Sequence, residues 1–143
     1  MRSGFTILET VIVLGIVAIL VMFSVPSISK SQAHHQEQLF WSELRQNWRN
    51  AQLQARNARQ TTNIQYDQTT KRITFATALT ANSVQVPGTL RVVKFTSFQM
   101  HANGYVKPQT QEFASTLTGR RYLMRIQLAW GGYHVESINS KDG

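Results

Sequence analysis

From Phe5 to Val25 the chain is an almost unbroken apolar run that carries a single charged side chain, Glu9. The run is long enough for a helix to cross the hydrocarbon core of a bilayer, which takes about 20 apolar residues. A short basic leader, Met1-Arg2-Ser3-Gly4, precedes it, and Glu9 stands fifth when Phe5 is counted as the first residue. A carboxylate inside an apolar span costs roughly 2.5–3.5 kcal/mol at mid-bilayer. Such a residue is expected to have a partner, and the expected purpose is assembly.

The total of 143 residues suits an anchor plus one soluble domain. A cleaved secretory signal would have a shorter apolar core and a small-residue cut site. The sequence Met22-Phe23-Ser24-Val25-Pro26 offers no such site, so the segment is expected to be retained. Arg2 and the initiator amine favour a cytoplasmic N-terminus and a domain outside the membrane, with Lys30 as a single opposing charge. The absence of cysteine excludes disulfides, thiol catalysis and thiolate metal sites. A net charge of +8 favours anionic partners without choosing among nucleic acid, anionic polymers and acidic protein faces.

Four parts are expected in order: a leader over 1–4, an apolar helix over 5–25, a polar continuation of that helix over 26–59, and a strand-rich region over 60–143. Pro26 removes one intrahelical hydrogen bond and kinks the axis without having to end the helix. No Pro or Gly follows between Ser27 and Arg59. Phe40, Leu44, Trp48, Ala51, Ala55 and Ala58 recur at spacings of three and four, which places them on one helical face. After Gln60 the period becomes two. Ile64 and Tyr66, then Ile73 and Phe75, flank the turn-like Asp67-Gln68-Thr69-Thr70. Val84 and Val86 lead to Pro87-Gly88, and Arg91–Phe95 reads as a further strand. Asn103-Gly104 marks a turn. Met124, Ile126, Leu128 and Trp130 alternate into Gly131-Gly132 and a closing strand over Tyr133–Ile138. Lys107–Gly119 has weak periodicity and reads as a loop or a poorly ordered insertion. The expected fold class is α+β: a long N-terminal helix, transmembrane in its first half, packed on an antiparallel β-sheet.

Arg45, Arg49, Arg56 and Arg59 fall on one side of the helix, beside the apolar stripe, with Trp41 and Trp48 along the border. Three readings stand for them: a solvated flank whose stems cover apolar surface, a contact with acidic faces of neighbouring subunits, or a DNA surface of basic and aromatic residues. Arg91, Lys94, Arg120, Arg121 and Arg125 read as a solvated sheet face, and form a second patch only if their strands are adjacent. His34 and His35 diverge by about 100° on a helix, and zinc pairs on helices need spacing such as i, i+4. His101 and His134 are isolated. No metal site, cofactor or catalytic residue is expected, because no nucleophile elbow, zinc-protease motif or phosphate-binding loop occurs. Gly15 reads as a position where helices approach closely.

Gly4-Phe5, Glu9 and Pro26 together resemble the N-terminus of the type IV pilin and pseudopilin family. The resemblance is dense over Gly4–Pro26, and the order of helix then sheet extends it along the chain. Within the family the overall pattern is similar to minor pseudopilins of a competence apparatus, and also to those of type II secretion. The lack of a disulfide departs from many major pilins.

The resemblance implies that a prepilin peptidase cuts after Gly4, that Phe5 is N-methylated, that Glu9 guides docking into a helical filament and that Pro26 permits bending. It implies a single-pass protein of the cell membrane, displayed at the cell surface when assembled, which is not an enzyme. The implied partners are the peptidase, other pilins or pseudopilins, the membrane, and, indirectly, an assembly ATPase and a platform protein. DNA is a further candidate partner, for a subunit at a pilus tip. Elementary electrostatics agrees with the docking step. A new amine at Phe5 and the Glu9 carboxylate carry opposite charges, and attraction between neighbouring subunits is opposed by desolvation. Such a pair would set register more than add net stability.

Overall fold

The computed structural model describes residues 6–127 and 132–139, with the side chains of 24–29 excepted. Gly4, Phe5, Leu128, Trp130 and Gly131 lie outside these residues, as does the side chain of Pro26.

One long helix, α1, runs from Ile7 to Ala58, and Pro26 lies within it. Thr6 caps its start: its Oγ1 accepts a hydrogen bond from the Glu9 amide at 3.3 Å. Thr6-Ile7-Leu8-Glu9 thereby has the spacing of a capping box, with the acid in the first turn where the helix dipole favours it. At the other end Arg59 takes φ 50°, the left-handed conformation that closes many helices.

Among the described residues eight antiparallel strands follow in two sheets, where one sheet had been expected. The first sheet has the order β3-β2-β1-β5, built from β1 (Thr62–Asp67), β2 (Arg72–Ala76), β3 (Ala81–Gln85) and β5 (Phe98–Met100). The second has the order β4-β6-β7-β8, built from β4 (Leu90–Lys94), β6 (Gln109–Ser115), β7 (Arg120–Ile126) and β8 (Tyr133–Asn139). The expected hairpin around Asp67 is β1–β2, in register from Asn63↔Ala76 to Asp67↔Arg72. Its turn is held by Asp67, whose carboxylate accepts the Thr69 amide and the Thr70 hydroxyl, each at 2.8 Å. The Thr70 and Thr69 hydrogen bonds lower the Asp67 pKa below its ordinary value.

The chain changes sheet between β3 and β4, between β4 and β5, and again between β5 and β6, and the middle change passes through Thr96. There Gln111, fully buried in β6, clamps the Thr96 backbone: Thr96 N–H donates to its Oε1 at 2.8 Å and its Nε2 donates to Thr96 C=O at 3.0 Å. These bonds satisfy backbone groups that have no ladder partner at the crossover.

Lys107–Gly119 is therefore not a loop. It contains β6, an inner strand of the second sheet. Its inward positions are Gln111, Phe113 and Ser115, all buried, and two of the three are polar. The alternation is present in burial and absent in hydropathy.

The chain forms two compact units, Met1–His34 and His35–Gly143. In the second, Phe40, Leu44, Trp48, Ala51 and Ala55 of α1 join Ile64, Ile73, Phe75, Met100, Phe113 and Met124 from both sheets in one core. Ala58, the last residue of the expected stripe, is exposed. The core also holds a ring cluster: Trp41 meets Phe113 and Tyr122 with centroids 5.4 Å apart in each case. Among the described residues of the first unit nothing comparable occurs. Ile7 to Phe23 expose their large apolar side chains all around the helix.

Among the described residues no helix is long and apolar enough to cross a membrane. The expected span Phe5–Val25 is described only in part. Its stretch from Ile7 to Phe23 corresponds to about 25 Å of helix, against about 30 Å for the hydrocarbon core.

Candidate functional site

Two regions carry the residues singled out from sequence. The first is the start of α1. Glu9 is exposed, and its neighbours Ile7, Leu8, Val11, Ile12 and Val13 are exposed apolar side chains. No ion pair engages Glu9 among the described residues. A methyl group added at Gly15 would meet nothing within 4 Å, so packing inside the chain does not account for that glycine. An interior helical glycine costs about 0.5–1 kcal/mol relative to alanine.

The second region is the basic flank of α1. The four arginines do not act as one surface. Arg45 and Arg49 line a groove between α1 and β8, together with Trp41, Tyr133, Val135 and Ser137. Arg45 donates a hydrogen bond to the Tyr133 hydroxyl, while burial raises the pKa of that phenol above its ordinary value of 10.0. Tyr133 is thus held neutral, as an acceptor for the guanidinium. Arg56 lies instead against the Asn103-Gly104 turn, where a Cβ on Gly104 would sit 3.3 Å from its Nε. Gly104 has φ 80°, so the expected turn does require its glycine. Arg59 serves as the left-handed residue that ends the helix.

The tryptophans that border the flank are committed to internal packing. Trp48 is buried and meets Tyr133 edge-on with centroids 5.0 Å apart. Trp41 is half-buried in the ring cluster already described. Trp48 therefore offers no open face on which a nucleic-acid base would stack.

The strand cations share one face but not neighbouring strands. Arg91 and Lys94 on β4 and Arg121 and Arg125 on β7 occupy outward positions of the second sheet, with β6 between them. Glu112 and Glu136 interleave with them: Arg121 pairs with Glu112, and Arg125 pairs with Glu136 at 3.3 Å. The face is a solvated lattice of both signs. Arg120, exposed at the start of β7, falls on the opposite face of the strand.

Comparison with family models, with curated proteins and with solved structures finds no match for this chain.

Two functional-looking groups escaped sequence reading. Glu37 lies one step ahead of Phe40 on the apolar stripe and is only 5% exposed. The Ser115 hydroxyl donates to its Oε1 at 2.8 Å, while Ser115 Oγ accepts from the Leu117 and Thr118 amides at 3.2 Å. Glu37 thus fastens the helix to the β6–β7 turn. Extending the stripe one helical step toward the N-terminus would have found it. Tyr133 and Val135, the strand wall of the groove, could be placed beside Arg45 only once the order β7-β8 was known. The four histidines show no convergence: among the described residues no three His, Cys, Asp or Glu side chains gather to hold a metal.

Proposed function

We propose that this chain is a minor pseudopilin, a structural subunit of a competence-type pilus that serves DNA uptake. A prepilin peptidase cuts it after Gly4, and Phe5 is N-methylated. The stretch Phe5–Val25 stores it in the cell membrane with the globular unit outside. Assembly then replaces lipid with neighbouring helices, and the subunit reaches the cell surface within the filament.

One observation carries this reading. From Ile7 to Phe23 the helix exposes apolar side chains on every side, with an exposed acid, Glu9, in its first turn. A helix apolar all round must be covered, by lipid or by other helices. An ionisable residue in such a helix calls for a partner, and the amine of a neighbouring subunit supplies the opposite charge. Gly15, without a packing role inside the chain, suits close helix approach.

The test is Glu9→Val in the native host. Its membrane level should match that of the unaltered protein, and its amount in sheared filaments should fall at least tenfold. Transformation frequency should fall with it. Normal incorporation of the variant would contradict the assignment of Glu9. A defect in protein export with transformation intact would replace the competence reading by type II secretion.

A further inference from the structure

We propose that the groove between α1 and β8 takes an extended acidic polypeptide segment, which adds as a strand along β8 and sets its carboxylates against Arg45 and Arg49. Three independent observations lead there, and none depends on the filament reading.

The first is the edge itself. β8 pairs with β7 on one side, in unbroken register from Arg120↔Asn139 to Ile126↔Tyr133, and among the described residues no strand lies on its other side. Such an edge presents unpaired N–H and C=O groups, and proteins usually guard it with bulges and cations. The opposite edge of the same sheet is guarded in that way: β4 carries Arg91 and Lys94, and its register shifts between Val92 and Lys94. β8 has neither a register shift nor a lysine or arginine. A strand of stated chemistry can therefore add there with main-chain hydrogen bonds.

The second observation is charge. Arg45 and Arg49 are exposed along the helix side of the groove, and no carboxylate is among the described residues that line it. Another copy of this chain is a poor source of the missing charge. Among its described acids, Glu9, Glu37 and Glu43 belong to α1 and cannot lie on an extended strand, Glu112 and Glu136 are already paired, and Asp67 is held in its own turn. The occupant is thus a different polypeptide with acidic residues at alternate positions, which a strand directs to one face.

The third observation separates polypeptide from nucleic acid. Trp41 and Tyr133 are half-buried and make edge-on or tilted contacts with Phe113, Tyr122 and Trp48, so much of each ring is taken up by internal packing. A nucleic acid would gain phosphate contacts from two arginines alone, whereas a strand gains both charge pairing and a main-chain ladder.

The experiment uses the full chain in zwitterionic detergent and a fluorescein-labelled nonapeptide of alternating Glu and Val. Fluorescence anisotropy reads binding. The peptide should bind with an affinity that falls with salt. Arg45→Glu with Arg49→Glu should weaken it at least tenfold, and the milder Arg45→Gln with Arg49→Gln should give the same direction if charge reversal disturbs folding. Methylation of alternate backbone nitrogens of the peptide, which keeps its charge, should abolish binding. Equal binding of the methylated peptide would overturn strand addition. Indifference to both arginine pairs would overturn the assignment of the groove. Binding of oligothymidylate of equal charge in place of the peptide would turn the surface into a nucleic-acid site and overturn the proposal.

Discussion

The two ends of α1 treat apolar side chains in opposite ways. In the last turns Phe40, Leu44, Trp48, Ala51 and Ala55 form one buried stripe, with Gln46, Arg49 and Asn50 exposed beside it. From Ile7 to Phe23 there is no stripe, and every large apolar side chain is exposed. The glutamates differ in the same way. Glu37 is buried and receives a hydrogen bond from Ser115, whereas Glu9 is exposed among apolar neighbours. A one-sided helix is completed by the strands of its own unit. A helix apolar on all sides is completed by something outside the chain. The contrast places the packed core in the second unit and leaves the apolar side chains of the first uncovered.

Substitutions can break or sharpen this contrast. The largest effect is expected from Trp48→Ala, which should lower the unfolding free energy of the globular unit by about 3–5 kcal/mol, as removal of a large core ring does. Denaturant unfolding of the full chain in detergent, followed by far-ultraviolet circular dichroism, measures it. Next comes Glu37→Ala, which removes the acceptor of the Ser115 hydroxyl and should cost about 1–3 kcal/mol. Glu37→Gln keeps an oxygen in the same place and should cost about 1 kcal/mol or less. If the two substitutions cost the same, the hydrogen bond is not what fastens helix to turn. The smallest effect is expected from Val17→Ala, which should change the same transition by less than about 0.5 kcal/mol, because Val17 touches no core. A loss at Val17 comparable to that at Trp48 would erase the distinction between the two ends. Under the proposed function Glu9→Val shows the converse pattern: an unchanged unfolding transition with incorporation lost.

Much of this division was legible before any coordinates. The stripe over Phe40–Ala55 declares itself because apolar residues recur at helical spacing against polar neighbours. The hairpin β1–β2 declares itself because Ile64, Tyr66, Ile73 and Phe75 alternate around a turn of Asp and Thr. What stayed hidden was polar burial. Gln111 and Ser115 occupy inward positions of β6, so the strand reads as a loop, and without β6 the second sheet cannot be separated from the first. Glu37 was hidden for the same reason, as a charged residue on an apolar face. The groove was hidden by distance along the chain: Arg45 and Tyr133 meet only when β8 takes its place at the sheet edge. The division into units falls at His34/His35, within the uninterrupted helix, where composition gives no signal.

The account rests most heavily on the events expected at the N-terminus. The direct measurement is the mass of the N-terminal fragment of the protein isolated from its own host. A chain that begins at N-methylated Phe5 is the predicted result, and it would place Glu9 beside a new amine as docking requires. A chain that keeps Met1-Arg2-Ser3-Gly4 in the presence of active prepilin peptidase would contradict the account and leave α1 to begin as a plain anchor.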